Sequence, residues 1–378
     1  MTHDEPRHLH SLDIARGIAA FAVVFWHWQH FFVVGLQPRA DFRAQLQPMF
    51  SVFRLFYMHG HEAVSLFFSL SGFIFFWLFA RNISDGTLSL SRFFLHRFSR
   101  LYPLHLATLL LVALAQPIYR LQHGANFVYA WNDLPHFLLN LLLLSTIGRD
   151  TGLSFNGPSW SVSVEMTLYA IFFLSCAILK PRLIAMLVIA LSGYLLLGHY
   201  KTTLGTAVGS FFIGGCMSAL YTILTRDAAR MRIAKAIVAG VPVLCLTAYL
   251  VPAGPAGLLP RVVLPGDEPD LLTVVIFPLC ILALALAEFL RPAVFARVAR
   301  LTRLGQLSYS VYLIHFPLQL FLMIAIARLG IDARIFYTPL ALFVFFATLI
   351  VLGLVSHYQF EMPVQRWLRT KYNRNSAP

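Results

Sequence analysis

Three polar residues in the first apolar segment, LDIARGIAAFAVVFWH, have the types and spacing of a catalytic group. Asp13, Arg16 and His27 fall within about 60° of one another if the segment is one α-helix, because each residue turns the helix by 100°. His27 would lie about 20 Å along the axis from Asp13, deep in a bilayer. Ionisable groups at that depth are costly and point to function. An imidazole titrates near neutral pH, so His27 is a candidate for proton transfer. Asp13 and Arg16 are equally compatible with an interfacial ion pair.

A second polar face is predicted in the segment NGPSWSVSVEMTLY. Trp160 is typical of an outer membrane interface. Ser161, Glu165 and Tyr169 follow at i, i+4 and i+8, which is one face of a helix. Glu165 would lie about 8 Å below the interface, at a depth similar to that of His27. We therefore expect the two to form an acid–base pair. The alternative is that Glu165 neutralises a distant arginine.

Two arginines begin the third apolar segment, in FLHRFSRLYPL. Arg97 and Arg100 are i, i+3 neighbours at its mouth. Paired guanidinium groups bind phosphate oxygens in a fork, so the pair is a candidate phosphate site. Alone, the same pattern is also typical of positively charged cytoplasmic ends.

A stripe of polar residues runs through the segment LGQLSYSVYLIHFPLQL. Ser308, Tyr312, His315 and Gln319 recur at i, i+4, i+7 and i+11, so the stripe faces protein or water rather than lipid. Pro317 should kink this helix and free a backbone carbonyl. The tyrosines are equally compatible with simple hydrogen-bonded helix packing.

The segment HGHEAVSLFFSLSGFIFF carries a mid-span serine and two histidines. Ser71 precedes Gly72, and small residues at such positions favour close helix packing over a nucleophilic serine. His59, His61 and Glu62 could in principle hold a metal ion, but their spacing matches no defined site. We therefore expect no metal.

These residues must be positioned by membrane helices. The 378 residues are 58% hydrophobic and 12% charged, with a mean hydropathy of +0.72, which excludes an ordinary soluble domain. Apolar runs of about 20 residues match the length needed to cross a bilayer. The predicted class is an all-α, polytopic transmembrane helical bundle that forms a single domain over 1–378. We expect about ten spans, near 12–34, 62–80, 98–119, 160–179, 183–200, 203–224, 236–251, 271–290, 306–328 and 338–358.

The positive charges predict the topology. The net charge of +13 could suggest nucleic acid, but the Lys and Arg cluster in short loops beside spans, so we expect no nucleic-acid partner. The run at 134–147 is too short to cross comfortably. If it does not cross, 20 of the 29 Lys and Arg lie on the side of the N-terminus. We therefore predict that both termini are cytoplasmic and that 134–147 is re-entrant or interfacial.

Six segments, taken in order, resemble the membrane-bound acyltransferase-3 family. They are LDIARGIAAFAVVFWH, AVSLFFSLSGF, RFSRLYP, NGPSWSVSVE, LSYSVYLIHFP and the terminal FEMP at 360–363. Ala63 departs from the glycine often found before the valine of the second segment. The C-terminal esterase-like domain of some members is not expected here.

The resemblance implies transfer of an acyl group, usually acetyl, from cytoplasmic acyl-CoA to a carbohydrate hydroxyl at the outer side. The acceptor would be a cell-surface polysaccharide or a lipid-linked glycan, and the location the bacterial inner membrane. Acetyl-CoA would be a co-substrate, and a homo-oligomer is compatible with the sequence. The implied site is grouped by role: catalytic His27, Glu165 and Asp13; donor-binding Arg16, Arg97 and Arg100; and lining residues Ser71, Trp160, Tyr169, Tyr312 and His315. The rival hypothesis is a proton-coupled secondary transporter, since buried ionisable residues also build proton relays.

Overall fold

The fold is almost entirely helical. The computed structural model describes residues 8–146, 152–197, 203–250 and 271–375. Within these ranges the only sheet is an antiparallel pair of two-residue strands, β1 Val33–Val34 and β2 Gln37–Pro38. The all-α class is therefore confirmed. The predicted loop at 252–270 lies outside the described residues.

Fourteen α-helices are present in the described ranges. They are α1 His10–Trp26, α2 Phe50–His59, α3 Ala63–Ser84, α4 Leu90–His123, α5 Leu134–Leu141, α6 Trp160–Ile178, α7 Leu183–Ser192, α8 Thr203–Arg226, α9 Met231–Leu250, α10 Phe277–Leu290, α11 Pro292–Arg297, α12 Thr302–Leu329, α13 Pro339–Val355 and α14 Met362–Asn375. Wider π-helical turns extend three of them, at Gly193–Leu197, Leu272–Ile276 and Ser356–Glu361.

Seven helical stretches in the described residues are long and apolar enough to cross a membrane. They are Phe50–Ser84, Leu90–His123, Gly157–Ile178, Thr203–Arg226, Leu272–Leu290, Ala299–Leu329 and Pro339–Tyr372. Each contains or closely overlaps one of the ten predicted spans. The apolar helix in the predicted span 183–200 is shorter, Leu183–Leu195. A total of ten spans and cytoplasmic termini stay predictions.

The first predicted span is shorter than expected. A single helix over 12–34 is wrong, because α1 ends at Trp26 and a 3-10 helix, His27–Phe32, follows. Buried aromatic packing fixes this change: the Trp28 Nε1 donates to the carbonyl of Phe336 at 2.9 Å, and the ring of Phe31 stacks on Phe336 at 3.6 Å. Tertiary contacts therefore override the helical period, and His27 lies just beyond the α-helix.

The short apolar run that begins at Leu134 forms α5, a helix of eight residues. Such a helix is about 12 Å long, so it is too short to cross a bilayer, as predicted. The Asp133 side chain caps it by accepting from the backbone N–H of His136 at 2.9 Å. The far end is held against α4, where Tyr102 donates to the carbonyl of Leu141 and His105 Nε2 meets that of Asn140. Its membrane depth stays a prediction.

The chain divides into two compact units. The first unit comprises Met1–Ile18, Val64–Ser89 and Leu168–Gln306, and the second comprises Ala19–Ala63, Leu90–Thr167 and Leu307–Pro378. In the first unit α3 and α8 touch backbone to backbone: a Cβ on Gly72 would lie 1.8 Å from the carbonyl oxygen of Phe211. The expectation that small residues around Ser71 serve close helix packing is thus confirmed.

The second unit has an aromatic core. Its largest fully buried side chains include Trp28, Phe31, Phe127, Phe316 and Phe345. This core surrounds the 3-10 helix that begins at His27, so the segment most relevant to chemistry is held by packing on several sides.

Candidate active site

Two buried histidines from distant parts of the chain meet in the second unit. His27 opens the 3-10 helix after α1, and His315 lies in the middle of α12. The Nδ1 atom of His27 lies 3.0 Å from the Nε2 atom of His315. The side chains are nearly dry, with His27 7% exposed and His315 fully buried. Sequence reasoning assigned these two residues to separate segments and did not pair them.

The hydrogen bonds determine which nitrogen carries each proton. The Nδ1 of His315 lies 2.6 Å from the carbonyl oxygen of Tyr312, which can only accept, so this Nδ1 is protonated. In a neutral ring the Nε2 of His315 is then an acceptor, and Nδ1 of His27 donates to it. The proton of neutral His27 therefore resides on Nδ1. Its Nε2 keeps a lone pair and makes no hydrogen bond to a described residue.

A glutamine fixes the backbone and the neighbouring ring. Gln319 Nε2 donates to the backbone carbonyl of His27 at 2.9 Å, and Gln319 Oε1 accepts from Nδ1 of His30 at 3.2 Å. His30 was missed in the sequence. Its i+3 spacing from His27 was the available signal, since residues three apart eclipse each other in a 3-10 helix. The two rings lie 4.5 Å apart between centroids.

The start of α6 packs beside the middle of α12. The Tyr312 hydroxyl donates to the carbonyl of Pro158 at 2.8 Å and accepts from Ser161 Oγ at 2.9 Å. Glu165 is one turn along α6 from Ser161 and lies within electrostatic range of the Tyr312 hydroxyl. Trp160 begins this helix. The residue hydrogen-bonded to His27 Nδ1 is thus His315.

The carbonyl freed by Pro317 has a dedicated partner. Proline has no N–H, so the carbonyl of Leu313, four residues earlier in α12, lacks its usual helical hydrogen bond. Asn156 Nδ2 donates to that carbonyl at 3.0 Å. The prediction of a freed carbonyl is confirmed, and Asn156 joins the loop before α6 to the helix that carries His315.

Asp13 and Arg16 form an ion pair in the first unit. Arg16 Nη2 lies 2.8 Å from Asp13 Oδ1, and the guanidinium also donates from Nε and Nη2 to the carbonyl of Gly305. The backbones approach closely here, because a Cβ on Gly305 would lie 2.3 Å from the Asp13 carbonyl oxygen. The carboxylate of Glu288 caps the start of α1 by accepting from the N–H groups of His10 and Ser11.

The remaining predicted residues divide between the units. Ser71 lies half-buried on α3 in the first unit. Tyr169, also in the first unit, stacks on Phe75 with 4.7 Å between ring centroids. Arg97 and Arg100 lie near the start of α4 in the second unit, where Arg97 covers the ring of Phe93. The structure thus brings together His27, His315 and Tyr312 in one hydrogen-bonded chain.

The second pair of histidines is more exposed. The His59 and His61 side chains are 57% and 50% exposed, and both approach Oε1 of Glu62, at 3.1 Å and 3.9 Å. Among the described residues, no group of three or more His, Cys, Asp or Glu is placed to hold a metal ion.

Comparison with known proteins identifies the family. Residues 9–357 match the Acyltransferase domain of the acyltransferase-3 family. The chain belongs to the acyltransferase-3 family. As a member, with helices suited to crossing a membrane, it is a multi-helical membrane acyltransferase.

Two curated relatives share parts of the chain. One is "Protein 2 in picA locus" of Rhizobium radiobacter, 29% identical over 185 residues, which cover 46% of this chain and 84% of the relative. The other is "Acyltransferase MdmB" of Streptomyces mycarofaciens, 39% identical over 119 residues, covering 30% of this chain and 27% of that protein. No solved structure matches the chain.

Proposed function

We propose that this acyltransferase moves an acyl group, most simply acetyl, from cytoplasmic acyl-CoA to a hydroxyl of a cell-surface polysaccharide or a lipid-linked glycan. The protein would span the bacterial inner membrane. The similarity to a protein named as an acyltransferase supports acyl transfer, and the positively charged start of α4 suits a donor that carries phosphates. The acceptor side follows from the family resemblance.

The observation that supports this proposal most strongly is the lone pair on His27 Nε2. A hydroxyl group is a weak nucleophile because it holds its proton tightly, and a positioned base contributes about 10²–10⁴-fold to such reactions. The chain from His27 through His315 to the carbonyl of Tyr312 keeps the proton on Nδ1 and leaves Nε2 as the basic atom. Burial protects this nitrogen from competing water.

In the proposed reaction His27 Nε2 accepts the proton of the acceptor hydroxyl. The hydroxyl oxygen forms a bond to the thioester carbonyl carbon, and the carbon–sulfur bond breaks. The CoA sulfur leaves with the electron pair and takes up the proton from His27. The positive charge that His27 carries between these transfers is shared through Nδ1–H with His315, whose own N–H donates to the Tyr312 carbonyl.

The other residues have supporting roles in the proposal. Glu165, one turn along α6 from the Ser161 that bonds to Tyr312, would tune the α6–α12 contact. In the first unit, Asp13 would orient Arg16 through their ion pair for contact with the donor, and Ser71 and Tyr169 would contact substrate. In the second unit, Arg97 and Arg100 would contact the donor, and Trp160 would contact substrate.

The test uses membranes that contain the full chain, incubated with radiolabelled acetyl-CoA and a panel of candidate polysaccharides. We expect label in one acceptor with the wild type and none with His27→Ala at equal membrane levels. A proton-coupled transporter would leave every acceptor unlabelled. Label transfer by His27→Ala at the wild-type rate would contradict the proposed base. An acyl-imidazole trapped on His27 without acceptor would replace direct transfer by a two-step route.

A further inference from the structure

An arginine of α14, Arg369, lies against the turn of α4 that carries Arg97 and Arg100. Arg369, on α14, donates from Nε to Ser99 Oγ at 3.1 Å and from Nη2 to the carbonyl of His96 at 3.3 Å. A further contact from Nη2 to Gln365 Oε1 at 3.3 Å orients the side chain from its own helix. The guanidinium is thus held by α4 on one side and α14 on the other.

The two anchoring residues on α4 immediately precede the arginines of the predicted phosphate site. His96 is next to Arg97, and Ser99 is next to Arg100. Arg100 follows Ser99, the residue whose hydroxyl accepts from Arg369, and both arginine side chains are half-buried. The Arg369 guanidinium therefore lies on the same turn of α4 that carries Arg97 and Arg100.

No carboxylate neutralises this pair within the described residues: neither Arg100 nor Arg369 forms an ion pair there. The only acidic residue of 339–375, Glu361, lies two turns before Arg369 and accepts from Ser310 and Ser356. Like charges held close together without a counter-ion repel each other. An anion with several oxygens would remove that repulsion and accept hydrogen bonds from the remaining N–H groups of both guanidinium groups.

We propose that Arg369 and Arg100 form a phosphate-binding site between α14 and α4, and that its ligand is a phosphate of the acyl-CoA donor. This inference rests on the proposed function and extends the donor site to the C-terminal helix. A phospholipid headgroup carries the same chemical group, so the experiment must separate the two sources. It must also separate ligand binding from a purely mechanical role of Arg369 as a tether between helices.

The test uses the purified full chain in micelles of dodecyl maltoside, a detergent that contains no phosphate. Transfer is measured from acetyl-CoA and from the acetyl thioester of N-acetylcysteamine, which has no phosphate. We expect Arg369→Ala to raise KM for acetyl-CoA about tenfold or more, as the loss of charged hydrogen bonds predicts, and to leave transfer from the phosphate-free thioester unchanged. Arg366→Ala is the matched control, because Arg366 is exposed on the same helix, and it should leave both reactions unchanged.

Three results would overturn the inference. An equal loss with both thioesters would make Arg369 a tether only. An effect seen in phosphatidylglycerol vesicles but absent in the phosphate-free detergent would assign the phosphate to lipid. An unchanged KM in Arg369→Ala, with an active wild type, would reject the site while leaving the proposed function intact. A wild type that uses neither thioester would reject the proposed function itself. If Arg369→Ala does not fold, Arg369→Lys replaces it. A smaller increase in KM for acetyl-CoA, with no change for the phosphate-free thioester, would then support the site. An unchanged KM for acetyl-CoA would contradict it.

Discussion

The second unit holds two groups of histidines that differ in almost every physical respect. His27 and His315 are buried, and their protons are fixed by a chain that ends on a carbonyl. His59 and His61 are about half exposed and share one carboxylate, Glu62. The groups are neighbours, since the ring of His61 lies 5.3 Å from that of Trp26, the residue before His27.

The comparison shows that spacing in the sequence is a poor guide to which histidines are buried and oriented for catalysis. HGHE resembles a ligand set more than any other segment, yet its two histidines are half exposed, and ion pairs with such exposed side chains are weak. The buried pair is separated by 288 residues and has no sequence signature as a pair. A basic nitrogen needs a defined tautomer and exclusion of water, and of the two groups compared only the buried pair has both.

The largest difference between the two groups is expected when the His315 ring, which orients His27, is removed. In His315→Ala the Nδ1–H of His27 loses its acceptor, and the loss of a buried hydrogen bond of about 1–3 kcal/mol predicts a decrease in kcat of about tenfold to a hundredfold. The control His61→Ala should keep the wild-type rate. Radiolabelled acetyl transfer measures both. Equal decreases in rate for His315→Ala and His61→Ala would show that burial and a fixed tautomer do not distinguish the two groups of histidines.

A smaller effect is expected from Gln319→Leu. The substitution leaves the carbonyl of His27 and the Nδ1–H of His30 without their partner, and each unsatisfied buried group costs about 1–3 kcal/mol of folding free energy. Thermal unfolding in detergent should show a clear decrease in Tm. Gln122→Leu changes an exposed glutamine of the same unit and should leave Tm unchanged. A Gln319→Leu protein as stable as the wild type would mean that the His27 segment does not depend on this bridge.

The support behind His315 can be tested by a rescue. Asn156→Ala removes the donor to the Leu313 carbonyl and should destabilise the fold by about 1–3 kcal/mol. Pro317→Ala returns a backbone N–H to that carbonyl, so the double variant should recover part of the loss. Denaturation of the four proteins of this cycle gives the coupling energy. Purely additive effects would contradict the assigned partner.

The smallest effect belongs to the exposed group. Glu62→Gln removes the carboxylate that His59 and His61 approach, and ion pairs with half-exposed histidines contribute about 0–1 kcal/mol. Acetyl transfer at neutral pH should be unchanged. A large loss of activity would give HGHE a role in the reaction and remove the contrast between the two groups.

Much of the helical architecture could be predicted from the sequence, because long apolar runs have few alternatives in a membrane. The carbonyl freed by Pro317 and the packing role of the small residues near Ser71 also followed from local chemistry. The end of α1 at Trp26 did not, since it depends on Trp28 and Phe31 meeting Phe336 some 300 residues away. Local periodicity contains no information on such contacts.

The sequence predicted that His27 and His315 belong to the site, but it did not predict that they contact each other. Depth along two helices suggested Glu165 as the partner of His27, but depth does not fix lateral position, and the hydrogen bond goes to His315. His30 has no polar stripe around it, so only its spacing from His27 could have indicated it. Arg369 lies in a basic tail where charge alone predicts topology, and its contact with Ser99 becomes visible only in three dimensions.

The most direct measurement is acetyl transfer by the full chain with His27→Asn. The asparagine amide keeps a donor near the position of Nδ1, so the contact with His315 can persist, but nothing replaces the basic Nε2. We predict a Tm like that of the wild type and a transfer rate lower by at least about 10²-fold, the contribution of a positioned base. Transfer at the wild-type rate by this folded variant would contradict the claim that His27 Nε2 is the catalytic base.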